Sequence, residues 1–194
     1  MAELSLKLGV TPNALTYLGL ILSGVAGLAY STGAFFLGGS VTLLAGACDT
    51  LDGALARKSG QASRSGAFMD SAFDRFGEIF IFLGLVWYFS GGYSFAAYSP
   101  ITALFTVLAV TGSMMVSYTR ARAEGLGLEC KVGLLQRPER MIILILGSWL
   151  GALPVIGLLF MKATLFTLAV LANFTAIQRI LYVRKKLLEE DRSA

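Results

Sequence analysis

The 194-residue chain has no histidine. That absence excludes histidine acid–base catalysis, Ser-His-Asp and Cys-His nucleophile systems, and His-rich zinc sites. Any catalysis must run on Asp, Glu, Lys, Arg, Tyr or a bound metal. Charge is also scarce: 14% of the residues are charged and 56% apolar, where a soluble domain has about a quarter charged. Together with a mean hydropathy of +0.71, this excludes a disordered chain, a collagen or coiled-coil rod, and an ordinary water-soluble enzyme. There are two cysteines, Cys48 and Cys130. They lie far apart in unlike settings and read as free thiols, not a disulfide framework. The chain shows no internal repeat and no low-complexity tract, and it is too short for two membrane domains. One integral membrane domain over residues 1–194 is expected, and nothing points to a nucleic-acid partner.

The few charges are not scattered. Residues 8–48 and 79–119 carry none, and residues 141–178 carry only Lys162. A bilayer crossing takes roughly 20 apolar residues, so each block reads as an out-and-back pair. The expectation is an all-α bundle of six transmembrane helices, at about 11–31, 35–57, 66–90, 98–124, 137–151 and 155–186 by the helix stop signals. Thr11 is a natural N-cap, and Pro12 and Pro138 fall at first turns, where proline costs no hydrogen bond. On this map 15 of the 16 Lys and Arg share one side with both termini, which the positive-inside rule makes cytoplasmic, in the cell membrane. Tyr30, Trp87, Tyr88, Tyr93, Tyr98 and Trp149 fall at the far side as an aromatic belt. Residues 1–10 read as a short interfacial segment, and the first helix as a retained crossing, not a signal peptide. The mixed-charge tail from Arg184 to Arg192 would be drawn to anionic lipid.

Four acidic residues stand apart. Asp49 and Asp52 are spaced i, i+3 near the end of the second helix. Asp70 and Asp74 are spaced i, i+4 near the start of the third. Each pair shares one helix face, and the short loop from Lys58 to Ser65 should make the two helices antiparallel neighbours. Converging carboxylates near a membrane surface are costly unless they serve a function. With hard oxygen donors and no His or Cys among them, Mg²⁺ or Mn²⁺ is the fitting cation. Two ions would balance four carboxylates and leave room for phosphate oxygens. Gly53, Ala56 and Gly66 keep the surroundings small, Arg57 offers a fork for phosphate, and Ser63 lies close enough to bond one. The bland alternative is salt bridging to Arg57, Lys58, Arg64 and Arg75, which leaves the small residues unexplained.

Written out, the segment is Asp49-x2-Asp52-Gly53-x2-Ala56-Arg57-x8-Gly66-x3-Asp70-x3-Asp74. It resembles the signature of the CDP-alcohol phosphotransferase family at every fixed position. The resemblance implies a six-helix membrane enzyme, generally dimeric, that moves a substituted phosphoryl group from a CDP-linked alcohol to a second alcohol and releases CMP. By the same resemblance, Asp49, Asp52 and Asp70 hold metals, and Asp74 is the general base and also touches metal. Asp49, Asp52, Gly53, Ala56, Arg57, Ser63, Gly66 and Asp70 would line the CDP-lipid site.

The acceptor is addressed by a second group. Arg120 and Arg122 end the fourth helix, Arg140 begins the fifth, and Arg179 interrupts an apolar run in the last. Arginines beside a metal site call for an anion between them, and a phosphate on the acceptor would serve. Lys131, Arg137 and Arg184 to Lys186 read instead as positive-inside flanks, and Arg120 fits both readings. Glu78, one turn beyond Asp74, reads as a partner for an arginine. Ser117-Tyr118-Thr119-Arg120-Ala121-Arg122-Ala123-Glu124 and Arg137-Pro138-Glu139-Arg140, with Thr11-Pro12-Asn13 and Gln178-Arg179, resemble the prokaryotic phosphatidylinositol-phosphate synthase branch. That branch joins CDP-diacylglycerol, or a CDP-diether lipid, to inositol 1-phosphate, and its acceptor-phosphate residues fall on Arg120, Arg122, Arg140 and Arg179. The sequence also admits two alternatives. One is phosphatidylglycerol-phosphate synthesis with glycerol 3-phosphate. The other is a divalent-cation transporter, against which the position of the acids near one surface argues.

Overall fold

Six helices account for nearly all of the chain in the computed structural model, which describes residues 11–60 and 63–193. The 1–10 segment falls outside the described residues. Local signals act where they should. The Thr11 hydroxyl accepts the Ala14 N–H at 3.3 Å, Pro12 follows, and α1 runs Pro12–Ser31. Gly33, at φ +79°, turns the chain into α2, Phe35–Lys58. Ser63 caps α3, Arg64–Phe89, by accepting the Gly66 N–H at 3.0 Å. A 3₁₀ turn at Phe95–Ala97 leads to α4, Pro100–Glu124. The last two helices are α5, Arg137–Gly151, and α6, Gly157–Ser193. Among the described residues there is no strand.

The helices close a ring in the order α1, α2, α5, α6, α4, α3 and back to α1. This corrects one expectation. α2 and α3 do not pack extensively on each other; α1 lies against both and the space between them stays open. Small residues allow the close crossings, as they do between membrane helices. Gly27 of α1 meets the Phe80 backbone of α3, and a β-carbon at Gly84 would overlap the Gly27 carbonyl oxygen. Gly112 lies against Asn173, and Gly147 against Thr164. The core includes Tyr30, Phe35, Leu85, Phe89, Leu144, Met161, Leu165 and Leu168.

α1, α4 and α6 are each long and apolar enough to cross a membrane. α2 and α3 carry the carboxylates, and α5 has 15 residues, about 22 Å at 1.5 Å per residue. Trp87, Tyr93 and Tyr98 are exposed as a belt requires. Tyr30 is not part of one. It is fully buried, and its hydroxyl bonds Ser148 Oγ at 2.7 Å. Trp149 is half-buried, its indole N–H donating to Ser40 Oγ at 3.2 Å. Both cysteines are free, as expected. Cys130 is buried, although its loop carries charge, so it would not report on exposure of that loop.

Candidate active site

The open space between α2 and α3 is a cleft of about 490 Å³, floored by Thr16, Gly19 and Ser23 of α1. Asp49 and Asp52 of α2 line one wall, and Asp70, Asp74 and Glu78 of α3 the other. The helical spacing therefore does bring all four aspartates to one place. Asp49, Asp70 and Asp74 each offer one oxygen, and these lie within 4.8 Å of one another. Asp52 does not join that tight trio. It is 4% exposed and accepts the Thr16 hydroxyl at 2.6 Å. The donor set is all carboxylate oxygen, which fits hard divalent cations such as Mg²⁺ or Mn²⁺.

A second cleft of about 610 Å³ opens beside the first and shares Thr16, Asp52 and Asp70 with it. Gly53, Ala56, Arg57, Ser63 and Gly66 line it, with Asn13 at the start of α1. The Arg57 guanidinium folds over Gly53, where a β-carbon would stand 3.4 Å from Nη1. Ser63 is first of all the helix cap of α3; it borders this cleft with its hydroxyl already bonded to Gly66.

The arginines are distributed differently from the expectation. Arg137, read as a flanking charge, reaches into the cluster. It donates to Asp49 Oδ2 at 2.8 Å and pairs with Asp74 Oδ1 at 2.6 Å. Its spacing from Arg140, i, i+3 on the first turn of α5, gives no sequence signal to separate their roles. Arg140 is 2% exposed and pairs with Glu78 Oε1 at 3.3 Å, so the pairing expected for Glu78 holds. Glu78 also meets Arg75 at 3.5 Å and accepts the Ser113 hydroxyl. Arg75 in turn donates to Ser117 Oγ at 2.7 Å, tying α3 to α4.

Arg179 is 3% exposed and donates to Val132 O at 2.8 Å and Val116 O at 2.7 Å. Arg140 also reaches the Leu135 carbonyl, at 3.4 Å. The two buried arginines thus staple the loop between α4 and α5 to the bundle. Gly133, at φ +127°, lets that loop lie against Thr175 and Arg179. Arg140 and Arg179 thus meet the same loop, through Leu135 and Val132. Arg120 is exposed and pairs with Glu124 at 2.9 Å. Arg122 is exposed and two residues from Arg120, about 200° round the helix, so it points elsewhere.

A carboxylate cluster suited to divalent ions, beside a cleft with a guanidinium over a glycine in an apolar helical bundle, has the chemistry that metal-assisted phosphoryl transfer requires. The comparisons agree. The CDP-alcohol phosphatidyltransferase family model matches residues 9–175, so the chain belongs to that family and is a transferase. The archaetidylinositol phosphate synthase of Methanothermobacter thermautotrophicus is 37% identical over 182 residues, 93% of this chain and 87% of that one. The phosphatidylinositol phosphate synthase of Mycolicibacterium smegmatis is 33% identical over 186 residues, covering 95% and 82%. The crystal structure of the Mycobacterium tuberculosis phosphatidylinositol phosphate synthase with CDP-DAG bound superposes with a TM-score of 0.85 at 32% identity, covering 94% of this chain and 90% of that one. The same enzyme with manganese and citrate also gives 0.85 at 32% identity, covering 94% and 86%.

Proposed function

We propose that this chain transfers a phosphatidyl or diether-lipid phosphatidyl-like group from a CDP-lipid to inositol 1-phosphate and releases CMP. The reading rests chiefly on the carboxylate cleft between α2 and α3, with Glu78 linking it to the buried Arg140. The names of the archaeal and mycobacterial relatives support the acceptor.

Asp49, Asp52, Asp70 and Asp74 would hold two Mg²⁺ or Mn²⁺ ions. When bound, these supply neutralisation of the charge on the donor's pyrophosphate. Gly53, Ala56, Arg57, Ser63 and Gly66 receive the nucleotide, the small residues letting it approach the backbone. Asp74 accepts the proton from the acceptor hydroxyl. That oxygen forms a P–O bond to the lipid-bearing phosphorus, and the anhydride P–O bond breaks to release CMP. Arg120, Arg140 and Arg179 hold the acceptor's phosphate. Arg122, exposed on another side of α4, has no direct part in that clamp.

In this reading all six helices cross the cell membrane, the termini and the active site face the cytoplasm, and the enzyme works as a homodimer. The test is CMP release by purified protein with a CDP-lipid and a panel of acceptors. Inositol 1-phosphate should support turnover, with glycerol 3-phosphate and free inositol at least roughly tenfold poorer in kcat/KM, a difference of about 1.4 kcal/mol. Preference for glycerol 3-phosphate would move the enzyme to phosphatidylglycerol-phosphate synthesis. Equal use of free inositol would remove the role of the arginine clamp.

A further inference from the structure

Arg137 spans the carboxylate cluster. One Nη meets Asp49 on α2 and the other meets Asp74 on α3, at 2.8 and 2.6 Å. Both partners belong to the trio whose oxygens lie within 4.8 Å. The guanidinium therefore holds oxygens that a divalent ion would need. We propose that Arg137 is a positioning residue that competes with divalent cations for Asp49 and Asp74. It keeps the two helix walls at a metal-binding separation and yields those oxygens as metal enters. The proposal rests on the reading of the aspartates as metal ligands.

Three observations support the exchange. First, charge opposes co-occupancy: two divalent ions would balance the four carboxylates, and a guanidinium among them would be repelled. Second, Arg137 is held at one end only. Its two Nη atoms make the ion pairs, but its buried Nε has no hydrogen-bond partner among the described residues. Third, it has somewhere to go. It borders a further groove of about 750 Å³ between α2 and α5, lined by residues including Leu43, Ala47, Met141 and Ile142. Arginine's long stem packs against apolar surface while its head stays solvated. Its position on the first residue of α5, before Pro138, lets the side chain pivot without disturbing the helix.

The experiment is calorimetric titration of Mn²⁺ into the purified full-length wild type, Arg137→Gln and Arg137→Lys, with melting of each measured in chelator. Removing a charge-assisted, two-carboxylate competitor should tighten Mn²⁺ binding roughly ten- to a hundredfold in Arg137→Gln. Arg137→Lys, a point charge that satisfies one carboxylate at a time, should fall between it and the wild type. In chelator Arg137→Gln should melt below the wild type, and saturating Mn²⁺ should close the gap. Unchanged or weaker Mn²⁺ affinity in Arg137→Gln overturns the proposal. If Arg137→Gln does not fold, Arg137→Lys carries the test, and affinity no tighter than wild type overturns it. Absence of Mn²⁺ binding by the wild type would be a different failure, that of the metal-ligand reading itself.

Discussion

Replacing Glu78 by alanine should damage both the fold and acceptor recognition, and its size follows from burial. The Glu78 and Arg140 side chains are 1% and 2% exposed, 3.3 Å apart, and Glu78 also faces Arg75 at 3.5 Å. Removing one member of such a buried pair leaves an uncompensated charge and costs about 3–5 kcal/mol. For a chain of this length each kcal/mol moves the melting temperature by about 2–4 °C, so Glu78→Ala should melt at least about 6 °C lower. Its apparent KM for the phosphorylated acceptor should rise as well, because Arg140 loses the contact that orients it. Glu78→Gln, which keeps the size and a bond to Ser113, should lie between. The double variant Glu78→Ala/Arg140→Met should regain part of the lost stability, since removing both charges costs less than stranding one. The assays are melting in detergent and CMP-release kinetics at varied acceptor. Wild-type stability in Glu78→Ala, or no recovery in the double variant, would refute the reasoning.

Arg179→Ala should raise the acceptor KM roughly ten- to a hundredfold, with the CDP-lipid KM little changed and Arg179→Lys recovering only part. Initial-rate kinetics with each substrate varied in turn would check this. Gly84→Ala should cost most of the folded protein in size-exclusion profiles, because its β-carbon overlaps the Gly27 carbonyl. Gly24→Ala, one turn before Gly27 with nothing within 4 Å, should be tolerated. A cysteine introduced by Lys185→Cys in a Cys48→Ser background should react with an impermeant thiol reagent only from the cytoplasmic side; labelling of intact cells from outside would invert the proposed topology.

Much of this structure could be read from the chain because its signals are local. Uncharged blocks and caps such as Thr11 located the helices to within a few residues, although α6 runs on to Ser193. The i, i+3 and i, i+4 aspartate spacings placed the carboxylates on shared faces. What spacing does not say is which helices touch. The short connection between α2 and α3 suggested direct packing, yet the ring order puts α1 against both and leaves the cleft between. The role of Arg137 is not legible in sequence for a related reason: it and Arg140 lie one turn apart, and only the tertiary arrangement sends one to Asp49 and Asp74 and the other to Glu78. Tyr30 and Cys130 look like surface residues by position, but neighbours distant in sequence bury them.

The most direct test of the central claim, that the aspartates between α2 and α3 form the reaction centre with Asp74 as base, is single-turnover CMP release by Asp74→Asn. It should be measured alongside equilibrium binding of the CDP-lipid to the same protein. Asparagine keeps the size and loses the basicity, so the lipid nucleotide should bind within a fewfold of wild type. CMP release should fall by at least about a hundredfold, the scale of a general-base contribution. CMP release near the wild-type rate, with inositol 1-phosphate saturating, would contradict the account.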